Sequence, residues 1–199
     1  DLVRSRGLGD VYKRQSNIQI VANQALRSGE TAIYAEFSFE GAVIASNLID
    51  GGTVGISVAN FNEGGRLASV TGNIIRNLTT KGPYPAEYAG FGIGMAIEAD
   101  AAVTGNVIEG APKWGVLMGW GPFLRAVNFS GNTIRDCGAG IAVSVVEGAG
   151  AALISGNMFD ATPGGAIIGC RWNEVVTKDL TKVGAGRFTH LTLERNAVA

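Results

Sequence analysis

Apolar and polar positions along this chain recur in a fixed phrase. Five times a short alternating run reaches an asparagine and resumes with two mostly aliphatic positions: Val43-Ile44-Ala45-Ser46-Asn47-Leu48-Ile49, Ser69-Val70-Thr71-Gly72-Asn73-Ile74-Ile75, Ala102-Val103-Thr104-Gly105-Asn106-Val107-Ile108, Asn128-Phe129-Ser130-Gly131-Asn132-Thr133-Ile134 and Leu153-Ile154-Ser155-Gly156-Asn157-Met158-Phe159. Weaker copies flank these at Ile20-Val21-Ala22-Asn23 and Leu193-Glu194-Arg195-Asn196. Successive asparagines are 24, 26, 33, 26, 25 and 39 residues apart. The unit is therefore about 25 residues, and the two longer steps hold insertions. A unit this short accommodates three strands and no helix.

A second phrase follows most asparagines by eight or nine residues: Ala32-Ile33, Gly55-Ile56, Gly115-Val116, Gly140-Ile141 and Ala166-Ile167. Several copies open a period-2 stretch, such as Ile56-Ser57-Val58, which predicts strands with one buried face. In the long third unit, Gly92-Ile93-Gly94-Met95-Ala96-Ile97 takes the same place after an insertion spanning 79–90. One coil of this size cannot bury its own apolar face, but coils stacked at about 4.8 Å form parallel ladders around a continuous interior. The predicted fold is all-β: a single right-handed parallel β-helix of about seven coils over 16–199. Its interior columns are Ile33, Ile56, Ile93, Val116, Ile141 and Ile167, and Ile49, Ile75, Ile108, Ile134 and Phe159.

The asparagines Asn23, Asn47, Asn73, Asn106, Asn132, Asn157 and Asn196 should form a ladder. An amide both donates and accepts, so each can bond the coils above and below, and asparagine tolerates the left-handed torsions of a tight bend. The glycine before four of them is expected to allow close backbone approach. Three residues after each strong copy lie Asp50, Arg76, Glu109, Arg135 and Asp160, so that stacking would set opposite charges side by side.

Composition narrows the function classes. The 199 residues are 46% hydrophobic and 17% charged, with 30 glycines but no Gly-X-Y period, which fits short strands joined by tight turns. Residues 10–15 read as the translation of a transposon end used in sequencing-library preparation, so 1–15 are set aside as non-native and 16–199 as a piece of a longer protein. The remainder is mildly acidic and lacks the clustered basic face that nucleic-acid phosphates need. No apolar run is long enough for a membrane helix. Cys137 and Cys170 have no metal or redox spacing.

The run from Ala42 to Arg171, above all 43–58 and 140–149, resembles the uncharacterised twin-arginine-translocated repetitive proteins of bacteria, within the wider pectate-lyase-like β-helix superfamily. The resemblance implies export in folded form to the periplasm or beyond. It also implies a binding groove on the outward side of the strand after the second phrase. On that side lie Ser57, Ala59, Gly94, Ala96, Glu98, Leu117, Gly119, Ala142, Ser144, Ile168, Cys170 and Trp172, mostly small and neutral.

Chemistry is sparse. Calcium-dependent lyases and inverting hydrolases need grouped carboxylates. The weak catalytic candidates are Glu98 and Asp100 as an acid/base pair, with Arg171 contacting a uronate; Glu147 and Glu174 lie just past equivalent strands. The one histidine, His190, reads as a surface or packing residue. Aromatic rings stack on sugar faces, which makes Trp120, Trp172, Trp114, Tyr84 and Tyr88 the candidate ligand-binding residues. The expectation is a cell-envelope solenoid that binds or processes polysaccharide, with a purely structural or adhesive scaffold and a polysaccharide lyase or glycoside hydrolase as alternatives. No cofactor is expected, with calcium left open.

Overall fold

The computed structural model describes residues 16–36, 39–59, 65–85 and 90–199; the expected non-native start lies outside the described residues. Three seven-stranded sheets run along one stack. The first, sheet A, is built from Ser16–Val21, Glu40–Ala45, Arg66–Thr71, Ala99–Thr104, Arg125–Ser130, Ala152–Ser155 and Leu191–Glu194. Three-residue strands such as Leu48–Asp50 and Thr133–Arg135 make sheet B. Sheet C contains Thr31–Ala35, Val54–Val58, Ile93–Ile97, Trp114–Met118, Ala139–Ser144 and Ile167–Arg171. Pairing within each sheet is parallel except at the last strand of sheet C, and strands in sequence order within a sheet are neighbours in space. The chain is thus a parallel β-helix.

At the C-terminal end of sheet C the pattern breaks. Ile167–Arg171 turns back at Trp172 and Asn173 into an antiparallel partner, Glu174–Asp179, which covers the edge that another coil would use. This hairpin and the turns after it account for the 39-residue step between the last two asparagines. Among the described residues no helix is long and apolar enough to cross a membrane.

Ile49, Ile75, Ile108, Ile134 and Phe159 stack in register in sheet B and are fully buried. Each contributes about 1.5–3 kcal/mol through burial. In sheet C the interior column is Ile33, Ile56, Met95, Val116, Ile141 and Ile167. Met95 therefore replaces the expected Ile93, which pairs instead with Val54 and Trp114. The corner between sheets B and C explains the shift. A methyl group on Gly55 would sit 2.6 Å from Ile75 Cγ2, one on Gly94 2.6 Å from Ile108 Cγ2, and one on Gly115 2.5 Å from Ile134 Cγ2. Only glycine leaves room for the large sheet B side chain there, so Gly94-Met95 is the third copy of the phrase and Gly92-Ile93 is not.

The asparagine ladder is continuous from Asn23 to Asn196. Each Oδ1 accepts both the backbone N–H and the Nδ2 of the preceding asparagine; from Asn106 to Asn132 both bonds are 2.9 Å. The spare amide proton bonds a sheet A carbonyl, as in Asn132 Nδ2 to Val103 O at 3.1 Å. Asn47, Asn73, Asn106, Asn132 and Asn157 are buried with these bonds made.

Two expectations about this bend need correction. The left-handed residue is the one before each asparagine: Ala22, Ser46, Gly72, Gly105, Gly131, Gly156 and Arg195 all have positive φ, and the ladder asparagines do not. These glycines also have no close neighbour, since the nearest atom to where a Cβ would stand on any of the four is 3.8 Å away, an ordinary contact. They serve the torsion and not a close approach. The charged column stacks as expected, Asp50, Arg76, Glu109, Arg135 and Asp160 in successive rungs. Arg76 reaches Asp50 at 2.9 Å, and Arg135 reaches Glu109 at 3.8 Å and Asp160 at 3.9 Å. In water such pairs add little.

Candidate functional site

Side chains that do not repeat collect where the sheet C strands end and the chain turns into sheet A. Because Ala35, Val58, Ile97 and Met118 are in register, the residues after them, Glu36, Ala59, Glu98 and Gly119, succeed one another along the stack. Glu36 and Glu98 are then two rungs apart, about 10 Å between backbones. Glu98 is 3% exposed, and its negative charge is felt at Tyr34. Burial pushes the Glu36 carboxyl up to about 7, against a lowering hydrogen bond from the Tyr34 phenol and with a further rise from Glu30. Burial and Glu36 together push the Tyr34 phenol up. Glu36 Oε2 is buried without a hydrogen-bond partner, which costs free energy when the group is charged.

That shift has a consequence for stability. An unfolded Glu36 releases its proton near its ordinary value of 4.5, the folded one near 7. Between those values the native state holds a proton that the unfolded chain has lost, so stability should fall as pH rises through this window and level off above it. The side chain is half-exposed and solvent screens it, which brings the expected loss to on the order of 1 kcal/mol. Thermal melts of the wild type and Glu36→Gln between about pH 5 and 8 check this: the variant should lack that part of the slope.

The aromatic residues separate into distinct settings. Trp120 leads into the short 3-10 turn Gly121–Phe123, and Trp172 stands at the tip of the terminal hairpin with φ of 56°. The two indoles meet edge to face, centroids 5.3 Å apart at 75°. Trp172 lies over Gly121, where a methyl group would come within 2.5 Å of its Cη2, and Ser144 Oγ fixes that turn by donating to the Gly121 carbonyl at 2.6 Å. Seated in this way, Trp172 still leaves 44% of its surface in water. Tyr84 is exposed on the third-coil insertion, and Tyr88 lies outside the described residues.

Trp114 departs from expectation. It is buried, with the Lys113 ammonium 4.1 Å above its ring, and it packs with Ile93, Ala139, Ala142, Ile168 and Cys170 in a second apolar cluster. Its ring is not available to stack on a sugar. Ala142, Ile168 and Cys170 of this cluster lie on the side of sheet C expected to face outward, yet all three are buried. Gly94, expected on this side, faces the interior corner.

The structure does not bring the three catalytic candidates together. Glu98 is buried just past a sheet C strand. Asp100 belongs to a sheet A strand, where Arg125 grips it through Nε at 3.0 Å and Nη2 at 2.8 Å and holds its carboxyl below the usual range. Arg171 is on the terminal hairpin. His190 Nε2 lies 3.0 Å from the Ser144 carbonyl, with its ring edge-on to Phe188. Both cysteines are buried, and burial pushes the Cys170 thiol up to about 11. Among the described residues no three His, Cys, Asp or Glu side chains gather as a metal would require. Tyr34 and Glu36 went unnoticed in the sequence, although the register that places Glu98 after Ile97 places Glu36 after Ala35 two phrases earlier.

No family model matches this chain, and no curated protein or solved structure does.

Proposed function

We propose that this chain is an exported cell-envelope β-helix that binds polysaccharide, akin to the twin-arginine-translocated repeat proteins and working in the periplasm or outside the cell. The observation that carries the binding part is the Trp120–Trp172 pair. A large ring held by its neighbours at a turn, yet 44% exposed, offers a sugar a stacking surface at little entropic cost. The reading of export rests on the resemblance of the repeated phrases. A glycan array probed with the wild type and with Trp172→Ala tests it. Binding should weaken by about tenfold or more in the variant, the loss of roughly 1.4 kcal/mol of stacking. Equal signals for both proteins would remove Trp172 from binding, and no signal for the wild type would leave a purely structural or adhesive scaffold.

A catalytic reading has one observation in its favour: Glu36, raised to about 7, carries the proton that a general acid needs near neutral pH, and Glu98 follows in the same column. Reducing-end and unsaturated-product assays on acidic and neutral polysaccharides address it. Activity that survives both Glu36→Gln and Glu98→Gln would remove these residues from catalysis.

A further inference from the structure

The terminal insertion carries a different kind of site, independent of the exposed tryptophan. Along the wall of the solenoid four arginines are paired with acids, Arg66 with Glu40, Arg76 with Asp50, Arg125 with Asp100, and Arg135 with Glu109, Asp136 and Asp160, while Arg27 and Arg195 have no ion pair among the described residues. Between 171 and 190 the balance reverses, with four basic residues (Arg171, Lys178, Lys182, Arg187) against Glu174 and Asp179. Asp179 is occupied inside the fold, accepting from the backbone of Ala166 at 3.1 Å and from Thr181. Arg171, Lys178 and Arg187 are exposed, have no ion pair among the described residues, and line one open cavity of about 540 Å³. No acidic side chain lines it, and its remaining wall includes Leu180, Val183 and Phe188.

Three exposed cations around one concave space with no acid among them attract an anion, and an apolar wall beside them selects one with a hydrocarbon or ring body. We propose that this cavity binds a small organic anion, its carboxylate, sulfonate or phosphate held by Arg171, Lys178 and Arg187 and its apolar part laid against Phe188, Leu180 and Val183. The volume suits a molecule of one or two rings. Two-pronged guanidinium contacts favour a planar or tetrahedral oxyanion over a halide.

The test uses the whole chain and two soluble probes, anilinonaphthalene sulfonate by fluorescence and naphthyl phosphate as its competitor. Saturable one-to-one binding is expected, displaced by naphthyl phosphate and weakened by added salt. It should fall about tenfold or more in Arg171→Gln/Arg187→Gln, which removes two of the three charges. Val183→Asp provides a second variant: this side chain is 60% exposed, so the fold tolerates the change, and the new carboxylate should repel the probe. Unaltered binding in folded samples of both variants, or no saturable binding by the wild type, would overturn the proposal. So would sedimentation with phosphatidylglycerol vesicles in the absence of soluble-probe binding, which would point to a membrane surface. Because Trp172 is untouched, glycan-array signals report separately on the polysaccharide reading.

Discussion

Asn132→Ala should destabilise the protein by about 3 kcal/mol. The asparagine is 2% exposed and sits mid-ladder, accepting two bonds from Asn106 and donating to Asn157 Oδ1 and Val103 O at 3.1 Å each. Truncation strands the Asn106 backbone N–H and the Val103 carbonyl in an interior that water does not reach, and each stranded group costs about 1–3 kcal/mol. Asn132→Asp separates the two halves of the role. An aspartate can still accept from Asn106, but it meets the Asn157 oxygen and a carbonyl with no proton to give once ionised. Its destabilisation should therefore grow as pH rises above the carboxylate range, whereas that of Asn132→Ala should not. Urea unfolding of the three proteins at two pH values measures this. An alanine variant within about 0.5 kcal/mol of wild type would mean that the ladder contributes little.

Gly115→Ala should cost as much or more, about 3 kcal/mol, although it adds a single methyl group to a β-strand. Gly115 does not need a left-handed torsion. The added carbon would stand 2.5 Å from Ile134 Cγ2 and 2.8 Å from the Gly140 carbonyl oxygen. The carbonyl belongs to a strand held in sheet C, so relief requires a whole rung to move. Gly156→Ala is the contrast. Its φ is 64° and nothing lies within 4 Å of the added atom. Only the torsional penalty remains, about 1–2 kcal/mol, and Gly156→Asn should cost less because asparagine visits that region more readily. Chemical denaturation of the three variants orders them; equal losses at 115 and 156 would contradict the assignment of two different roles to two glycine columns.

The parts of the architecture readable in advance are those imposed on every coil alike. Each rung needs an amide at the bend, a large apolar group in sheet B and a small-then-large pair at the sheet C corner, so the chain states these demands repeatedly and a chance resemblance is filtered out. Where a demand is met by two overlapping strings, reading fails. Gly92-Ile93 and Gly94-Met95 both fit the phrase, and the choice depends on which glycine faces Ile108, a contact across the coil and not along the chain. The role of the ladder glycines was misread for a related reason: a glycine required for φ and one required for space look identical in sequence. The candidate sites were less accessible still, because they use residues that occur once. Trp172 stood out as a ring on the outward side of a sheet C strand. The burial of Trp114 among Ile93, Ala139 and Ile168 and the grip of Arg125 on Asp100 depend on neighbours brought from other coils, and the raised proton affinity of Glu36 depends first on how deeply it is buried. The cations of the hairpin become notable only because the fold gathers three of them around one cavity.

The most direct measurement of the account is scalar coupling through the ladder hydrogen bonds by NMR. In a parallel β-helix with its coils in register, the Asn106 backbone nitrogen should couple to the side-chain carbonyl carbon of Asn132 across a 2.9 Å bond. Equivalent correlations should link Asn47 to Asn73, Asn73 to Asn106 and Asn132 to Asn157, with slow exchange of the side-chain amide protons. Side-chain amides that exchange freely and show no coupling between these pairs would contradict it.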